Sequence, residues 1–447
     1  MKLMYVLLLG LVACMAASPL NAQAPAVQAP PPPMTIKLGD VDLKVGGYVD
    51  AVGFVRSTTV GSGLGTAFGA IPLAESPAGN LRETRITAQS SRFNVLATSR
   101  LGNTDVRGYL EIDFVGVQPP NAMVTTNANG PRMRHSYMQF RTGRFEFMGG
   151  QGWSLMTPHR QGMSATPSDI FFTQAIDQNS NVGMTWLRTG QFRFVAHATK
   201  SVTAGVSLEN PQQYVGSSVV LPAGFPAGEV DNNINGAIPN SYPDVIGKVA
   251  FDPQTGSTHQ HIEVAVLARG FKTFDPATSS TFSKTGWGAS INVNFEPVRN
   301  VHLVGTSFTS EGGGRYAIGL GPDFIVKKDG SPSLVTSRSY LAGIEGVIRN
   351  ATLFGYYGAV RVDREVTTDR DGRLIGYGVP GATGANRDVQ EATVGVNYTL
   401  WRDPRRGALQ AITQYSHVRR RPWSPPAGTE PDARLHMIFV AMRYALP

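Results

Sequence analysis

The chain has 447 residues, of which 41% are hydrophobic and only 16% are charged, and its formal net charge is +8 at neutral pH. A typical soluble domain carries about 25% charged residues, so this composition disfavours a soluble enzyme. With 50 glycines, it favours a sheet protein that has many turns. The positive charges are scattered along the chain rather than clustered, which argues against a nucleic-acid partner.

The first 22 residues are predicted to be a cleaved signal peptide. Lys2 precedes an apolar run from Met4 to Ala17. This run is shorter than the roughly 20 residues of a membrane-spanning helix and matches the apolar core of a signal peptide. Cleavage is expected after Ala22, because Pro25 would obstruct a cut after Ala24.

Cys14 allows an alternative interpretation, in which it is the acylated first residue of a lipoprotein. We favour the simpler interpretation that Cys14 belongs to the apolar core of the signal peptide. The mature chain then has no cysteine, which excludes a disulfide, a thiol nucleophile and a cysteine-ligated metal. Residues 23–42 follow as a proline-rich N-terminal tether, with four consecutive prolines at 30–33.

Segments of about ten residues with alternating apolar and polar side chains fill the rest of the chain, which is the pattern of transmembrane strands. In residues 286–296, for example, every second side chain is apolar: Trp287, Ala289, Ile291, Val293 and Phe295. The alternation predicts sixteen strands, at 43–56, 90–100, 105–115, 132–142, 144–153, 181–189, 191–198, 244–252, 260–270, 285–296, 299–310, 338–349, 351–362, 389–400, 407–418 and 434–444.

The connections between these strands alternate between short turns and long loops. The short turns include Thr142-Gly143-Arg144, Thr189-Gly190 and Arg349-Asn350, whereas 57–89, 154–180 and 199–243 are long. Outer-membrane barrels keep their periplasmic turns short, and a soluble sandwich has no reason to sort its loops in this way. We therefore predict an all-β fold over 43–447, a transmembrane antiparallel β-barrel of about 16 strands with long extracellular loops.

A barrel of this size leaves an aqueous channel, because only much smaller barrels are filled by their own side chains. Its polar faces would line water, and its apolar faces would contact the lipid of a Gram-negative outer membrane. Aromatic residues near strand ends suit the interfacial girdles of such a barrel: Trp186, Trp287, Trp401 and Tyr444.

Arginines are concentrated in residues 81–144, which contain nine arginines and no lysine. By strand parity, Arg107 shares a face with Glu111 and Asp113, and Arg132 shares a face with Arg134. Such a wall would attract anions, because the guanidinium fork matches carboxylates and phosphates. The alternative is that these arginines pair with neighbouring carboxylates or lipid headgroups and only stiffen the wall.

The loop 154–180 is the third long connection and is rich in small and polar residues. If it folds into the barrel, it constricts the channel and brings Arg160 and Asp169 near the passage. The alternative is a surface loop packed against the rim by Phe171 and Phe172.

Several motifs together resemble the DcaP-like porins of Gram-negative bacteria, most densely over residues 44–175. The motifs are Gly46-Gly47-Tyr48, Ser91-Arg92-Phe93-Asn94, the run from Gly108 to Phe114, Arg132-Met133-Arg134-His135-Ser136-Tyr137 and Gly150-Gln151-Gly152-Trp153-Ser154. The resemblance implies a homotrimer of sixteen-stranded barrels with an inward third loop, taking up small anions such as dicarboxylic acids. By position it assigns a pore-lining role to Arg92, Arg107, Arg132 and Arg134. The helical stretch that often precedes the barrel in that family is replaced here by the tether.

Two other classes of function remain open on sequence. An outer-membrane hydrolase would need a catalytic constellation, and His159 with Ser164 and Asp169 is the only arrangement the sequence offers. A structural or adhesive barrel with a plugged lumen is the other. We predict neither catalytic residues nor a metal or cofactor, and we expect outer-membrane lipid and small anionic solutes as partners.

Overall fold

The computed structural model describes residues 35–116, 129–165, 173–233 and 238–447. In chain order the strands are β1 (Thr35–Leu38), β2 (Val41–Arg56), β3 (Glu83–Thr87), β4 (Arg92–Leu101), β5 (Thr104–Asp113), β6 (Arg132–Thr142), β7 (Phe145–Trp153), β8 (Arg188–His197), β9 (Val202–Glu209), β10 (Val219–Val220), β11 (Asp244–Phe251), β12 (Gln254–Thr255), β13 (Thr258–Asp275), β14 (Ser280–Val298), β15 (Val301–Glu311), β16 (Phe324–Val326), β17 (Pro332–Leu334), β18 (Thr336–Ile348), β19 (Ala351–Val362), β20 (Glu365–Thr368), β21 (Leu374–Tyr377), β22 (Asn386–Asp403), β23 (Gly407–Pro422) and β24 (Ala433–Ala445). Short 3-10 turns lie at Phe68–Ala70, Pro77–Asn80, Ala227–Glu229 and Gly314–Tyr316.

The long strands form one closed antiparallel barrel of sixteen strands, as the sequence predicts. β3 and β4 both pair with β2 and act as one interrupted strand. The barrel closes where β2 pairs with β24, for example at Val52 and Ala441. Closure leaves no strand edge unpaired, which is the condition for crossing a bilayer with sheet.

Side chains alternate sharply between the two faces of the wall. On β13, Val264 and Val266 are 48% and 57% exposed, whereas Glu263 and Ala265, which alternate with them, are buried. The outward side chains of most strands are apolar and the inward ones mainly polar, which is the arrangement of a barrel that meets lipid outside. Within the described ranges, no helix is long and apolar enough to cross a membrane.

One predicted strand, 181–189, is wrong, whereas its neighbour 191–198 is confirmed by β8. Residues 181–187 are not a strand; they belong to the third long loop, and the next strands are β8 and β9. The predicted turn Thr189-Gly190 lies inside β8, and the real turn connects His197 to Val202. The total of sixteen is preserved because the strand lost at 181–187 is replaced by the unpredicted β9.

The described parts of several long loops pack together as a cap over one end of the barrel. Buried apolar residues from several loops form its core, among them Leu64, Phe68, Val215, Phe324 and Tyr377. A small sheet of β10, β21 and β20 ties two of these loops together. At the opposite end, β1 pairs with β2, so residues 35–42 of the predicted tether form a hairpin.

Three of the four predicted girdle aromatics face outward. Trp287, Trp401 and Tyr444 are 50%, 40% and 38% exposed. Trp186 is different, because its ring lies 3.8 Å from that of Trp153, centroid to centroid, and it packs against an interior cluster. The prediction that Trp186 lies in the girdle is wrong, because the strand predicted around it does not form.

Candidate functional site

The described parts of the third long loop, residues 154–165 and 173–187, lie inside the barrel, as predicted. Its backbone N–H groups donate to side chains of the wall. Leu155 donates to Glu209 of β9 at 2.8 Å, and Val182 donates to Glu391 of β22 at 2.8 Å. Since β9 and β22 lie on opposite sides of the barrel, the loop crosses the interior and constricts it.

Glycine permits the closest approach of this loop to the wall. Gly183 has a φ of +99°, and a Cβ there would lie 2.0 Å from the carbonyl oxygen of Tyr340. On the same wall, a Cβ at Gly358 would lie 1.9 Å from the carbonyl oxygen of Val182. The loop backbone therefore lies directly on the backbone of β18 and β19, with no room for side chains between them.

Arg160 and Asp169 were predicted to stand in the constriction. Arg160 lies inside the barrel and forms an ion pair with Glu345 of β18; its side chain is 18% exposed. Asp169 lies outside the described residues, so its place in the constriction stays a prediction.

An arginine-rich wall is formed by the inward faces of β4, β5 and β6 and by the start of β8. Strand parity places five of its members on one face, as the sequence indicates: Arg92, Glu111, Asp113, Arg132 and Arg134. Arg188 at the start of β8 has the opposite parity to the buried Gln191, and it joins the wall through its contact with the buried Trp153 ring. The cross-strand register brings Arg92 opposite Asp113, and Asp113 opposite Arg132.

The two carboxylates of this wall are held by two arginines. Arg132 donates from Nε and Nη2 to both oxygens of Asp113, at 3.0 and 2.7 Å. Arg134 donates to Glu111 at 2.5 Å and to Asp113 at 2.9 Å. Asp113 is 0% exposed and Arg134 only 3%, whereas 35% of the Arg132 side chain is exposed. The buried Arg134 and Asp113 therefore hold the strands of the wall together, whereas Arg132 presents its positive charge to the interior.

The remaining arginines of the wall stack on aromatic rings. The Arg92 guanidinium lies 5.4 Å from the ring centroid of Tyr48, and that of Arg188 lies 5.0 Å from the Trp153 ring. Arg188 Nη1 has no hydrogen-bond partner among the described residues. Four guanidiniums and two carboxylates give the wall a net charge of 4 − 2 = +2.

Arg107 does not join this group, although it lies on the same face of β5. It is exposed near the short turn between β4 and β5, opposite Thr98 and Gln139. Sequence reasoning missed Arg188, because that residue fell at the end of the wrongly predicted strand 181–189. The signal available was its adjacency to the alternating segment that forms β8.

His159, the centre of the hydrolase alternative, is fully buried under the inward loop. Its Nδ1 atom lies 3.2 Å from Lys248 Nζ and 3.4 Å from Glu263 Oε2. Burial and the adjacent ammonium lower the pKa of this imidazole to about 4, so it is neutral at neutral pH. The imidazole is thus locked into the wall rather than presented to a substrate.

Within the described ranges, no group of three or more His, Cys, Asp or Glu side chains is arranged to hold a metal ion. Part of the interior is filled by apolar packing instead. Leu155, Met156 and Met163 of the loop pack against wall residues that include Ile246 and Phe308.

A cavity of about 990 Å³ opens among the cap loops. Most of its lining residues are small or apolar, such as Phe68, Ala70 and Leu320. Its one arginine, Arg420, already donates to the carbonyl oxygens of Ile71 and Thr383. The cavity therefore adds little free charge at this end of the barrel.

Comparisons with solved structures find outer-membrane channels. The outer membrane channel DcaP of Acinetobacter baumannii is similar with a TM-score of 0.66 and 17% identity, covering 91% of this chain and 97% of that one. An anion-selective porin from Comamonas acidovorans is similar with a TM-score of 0.52 and 11% identity, covering 91% of this chain and 99% of that one. Salmonella typhi OmpF in complex with daunomycin is similar with a TM-score of 0.52 and 9% identity, covering 92% of this chain and 100% of that one.

No family model and no curated protein matches the sequence. At these identities the structural likenesses concern the fold alone. They confirm, at that level, the resemblance to DcaP-like porins that the sequence motifs indicate: the chain is a β-barrel with the fold of the bacterial outer-membrane porins.

Proposed function

We propose that this protein is an outer-membrane porin for the passive diffusion of small hydrophilic solutes, with a preference for anions such as dicarboxylates. The observation that carries the proposal is the arginine-rich wall, whose net charge of +2 faces the interior of a closed barrel. Fixed positive charge in a narrow, low-dielectric channel raises the local concentration of anions.

Carboxylates are favoured among anions because of how the arginines are presented. Asp113 already shows the geometry, since its two oxygens take parallel hydrogen bonds from Arg132. A solute carboxylate passing Arg132 and Arg188 meets the same planar donors, which a lysine could not provide. A solute with two carboxylates can contact both arginines in succession.

The solved structures support the same proposal. One similar barrel is described as an anion-selective porin and another as an outer-membrane channel. We further propose export by the signal peptide of residues 1–22, a proline-rich tether that precedes the hairpin starting at residue 35, and, as the resemblance to DcaP-like porins implies, assembly as a homotrimer.

Reversal-potential measurement on the purified protein in a planar bilayer tests the proposal. Under a potassium chloride gradient, we expect a potential of the sign given by chloride permeation, and succinate should reduce the chloride current more than uncharged glycerol does. A cation-selective current, or equal effects of succinate and glycerol, would contradict the preference for anions.

A plugged structural barrel is the second candidate, favoured by the apolar packing of Leu155, Met156 and Met163 inside the barrel. The same bilayer experiment separates the two. A correctly folded protein that conducts no current supports the plugged barrel.

A further inference from the structure

The outer surface of the barrel carries a second arginine cluster, on the side formed by β18, β19, β22, β23 and β24. Its six arginines lie at the ends of these strands that join the long loops: Arg338, Arg361, Arg387, Arg419, Arg421 and Arg434. In a barrel with long extracellular loops, this end lies at the level of the outer leaflet. We call this cluster the outer arginine belt.

Strand register shows that the belt faces outward in ordered rows. Arg338 pairs with Arg361, Arg361 with Asp388, and Asp388 with Arg421. The next row towards the membrane contains Tyr340, Ala359, Gln390, Arg419 and Arg434. Inward neighbours such as Val389 and Arg420 are buried, so the rows belong to the opposite face of the wall.

The rows below the belt follow the sequence expected at a membrane surface. His417 pairs with His436 in the third row, and Tyr415 pairs with Ile438 in the fourth. The Tyr415 hydroxyl and His436 Nδ1 lie 2.8 Å apart. Val394, which pairs with Tyr415 in the fourth row, is 57% exposed, and Leu353 in the row below is 46% exposed. Guanidinium, amphipathic ring and hydrocarbon therefore follow one another from the rim downwards, and the belt lies at the depth of lipid headgroups.

The belt is built from three clusters in which two arginines share one aspartate. Asp363 lies 3.1 Å from Arg338 and 3.9 Å from Arg361. Asp388 lies 3.2 Å from Arg387 and 2.7 Å from Arg421. Asp432 accepts from Arg419, and from Arg434 at 3.1 Å. Each cluster keeps one positive charge, so the belt has a net charge of 6 − 3 = +3.

Burial shows that these clusters are arranged to present their positive side. The side chains of Asp388 and Asp432 are 9% and 2% exposed, whereas those of their partners Arg387 and Arg434 are 40% and 60% exposed. In the third cluster, Asp363 is 40% exposed and its two arginines, Arg338 and Arg361, are 53% and 62% exposed. The aspartates thus orient the guanidiniums from below. Uncompensated positive charge beside hydrocarbon is costly unless a counter-ion lies within reach, and planar guanidiniums bind phosphate with two hydrogen bonds.

We infer that the outer arginine belt binds the phosphate groups of an anionic glycolipid in the outer leaflet, holding lipid on one side of the barrel. The inference depends on the orientation of the barrel in the membrane and not on what passes through its interior. A contact between copies of this chain fits less well, because two belts of charge +3 would repel each other.

Native mass spectrometry of the purified full-length barrel tests the inference, with bisphosphorylated lipid A as the probe and EDTA present to remove bridging cations. The test variant is Arg338→Gln, Arg387→Gln and Arg434→Gln together. It leaves every aspartate one arginine partner and lowers the belt charge from +3 to 0. The control variant is Arg299→Gln, Arg402→Gln and Arg405→Gln, which removes three exposed arginines at the short-turn end.

We expect the wild type and the control to retain lipid A, and the test variant to bind it on the order of a hundredfold more weakly, at about fivefold for each surface arginine. Lipid A without its phosphates should bind all three proteins equally weakly. The inference is overturned by equal lipid A binding in the test variant, or by complete displacement of lipid A by free inorganic phosphate. It is also overturned if the test variant loses an oligomeric state that the wild type has, with no change in lipid binding.

Discussion

Removing Arg132 and Arg188 from the inner wall should abolish most of the selectivity of the channel. In the double variant Arg132→Gln and Arg188→Gln, the net charge of the wall falls from +2 to 0. The inner pairs of Arg134 with Glu111 and Asp113 remain in place. The barrel should therefore fold as before, and only the field inside it should change.

The magnitude follows from Coulomb's law. A unit charge about 6 Å from an ion in water contributes roughly 0.7 kcal/mol. Screening at about 0.1 M salt, where the Debye length is about 10 Å, lowers this to roughly 0.4 kcal/mol. Losing two charges disfavours an anion and favours a cation by equal amounts, about 1.6 kcal/mol in their difference. The ratio of anion to cation permeability should fall on the order of tenfold.

The assay is the reversal potential in a planar bilayer of neutral lipid under a salt gradient. The control is the double variant Arg361→Gln and Arg434→Gln, which removes the same charge from the outer surface, where these side chains are 62% and 60% exposed. If the inner variant keeps the wild-type ratio, or if the outer variant changes it as much, the wall does not set selectivity and the reasoning is refuted.

Two further substitutions test the wall and the loop. Arg134→Met leaves two buried carboxylates short of a partner and should destabilise the barrel by about 3–5 kcal/mol. The loss should appear as a lower temperature of unfolding on heated gels. The control Arg132→Met changes a side chain that is 35% exposed, so it should lower the stability clearly less. Gly183→Ala would place a Cβ 2.0 Å from the Tyr340 carbonyl oxygen and should displace the inward loop, raising single-channel conductance; Gly190→Ala, with no atom within 4 Å of the new Cβ, should leave conductance unchanged.

Alternation and loop lengths were enough to predict the barrel, because the bilayer imposes period two on every strand and the periplasmic side keeps its turns short. They failed at residues 181–187, where Val182, Met184 and Trp186 also alternate with other residues. Val182 and Met184 are fully buried against the inner wall rather than exposed to lipid. A period of two indicates that one face is covered, but it does not identify whether protein or lipid covers it.

The arginine-rich wall shows a similar limit. Parity within β5 and β6 correctly grouped Glu111 with Asp113 and Arg132 with Arg134, because these pairs are local. It also grouped Arg107 with them, although that residue lies near the short-turn end, away from the ion pairs. Arg188 was missed because it fell at the end of the wrongly predicted strand 181–189, and because its place beside the wall depends on contact with Trp153 of β7. The face on which a side chain lies is set by its own strand, whereas its depth in the barrel and its neighbours depend on the register of all the strands.

The loop that crosses the interior also fits only a barrel of one circumference. The backbone of Ile176 donates at 2.7 Å to Gln414, a residue 238 positions further along the chain. During assembly this segment has no wall residue to bind until the last strands have joined the sheet. An incomplete sheet therefore leaves the segment exposed to proteases. Inserting or deleting one hairpin would change the diameter that the loop spans and detach one of its ends. The length of a single connection therefore restricts how many strands this barrel can gain or lose in evolution.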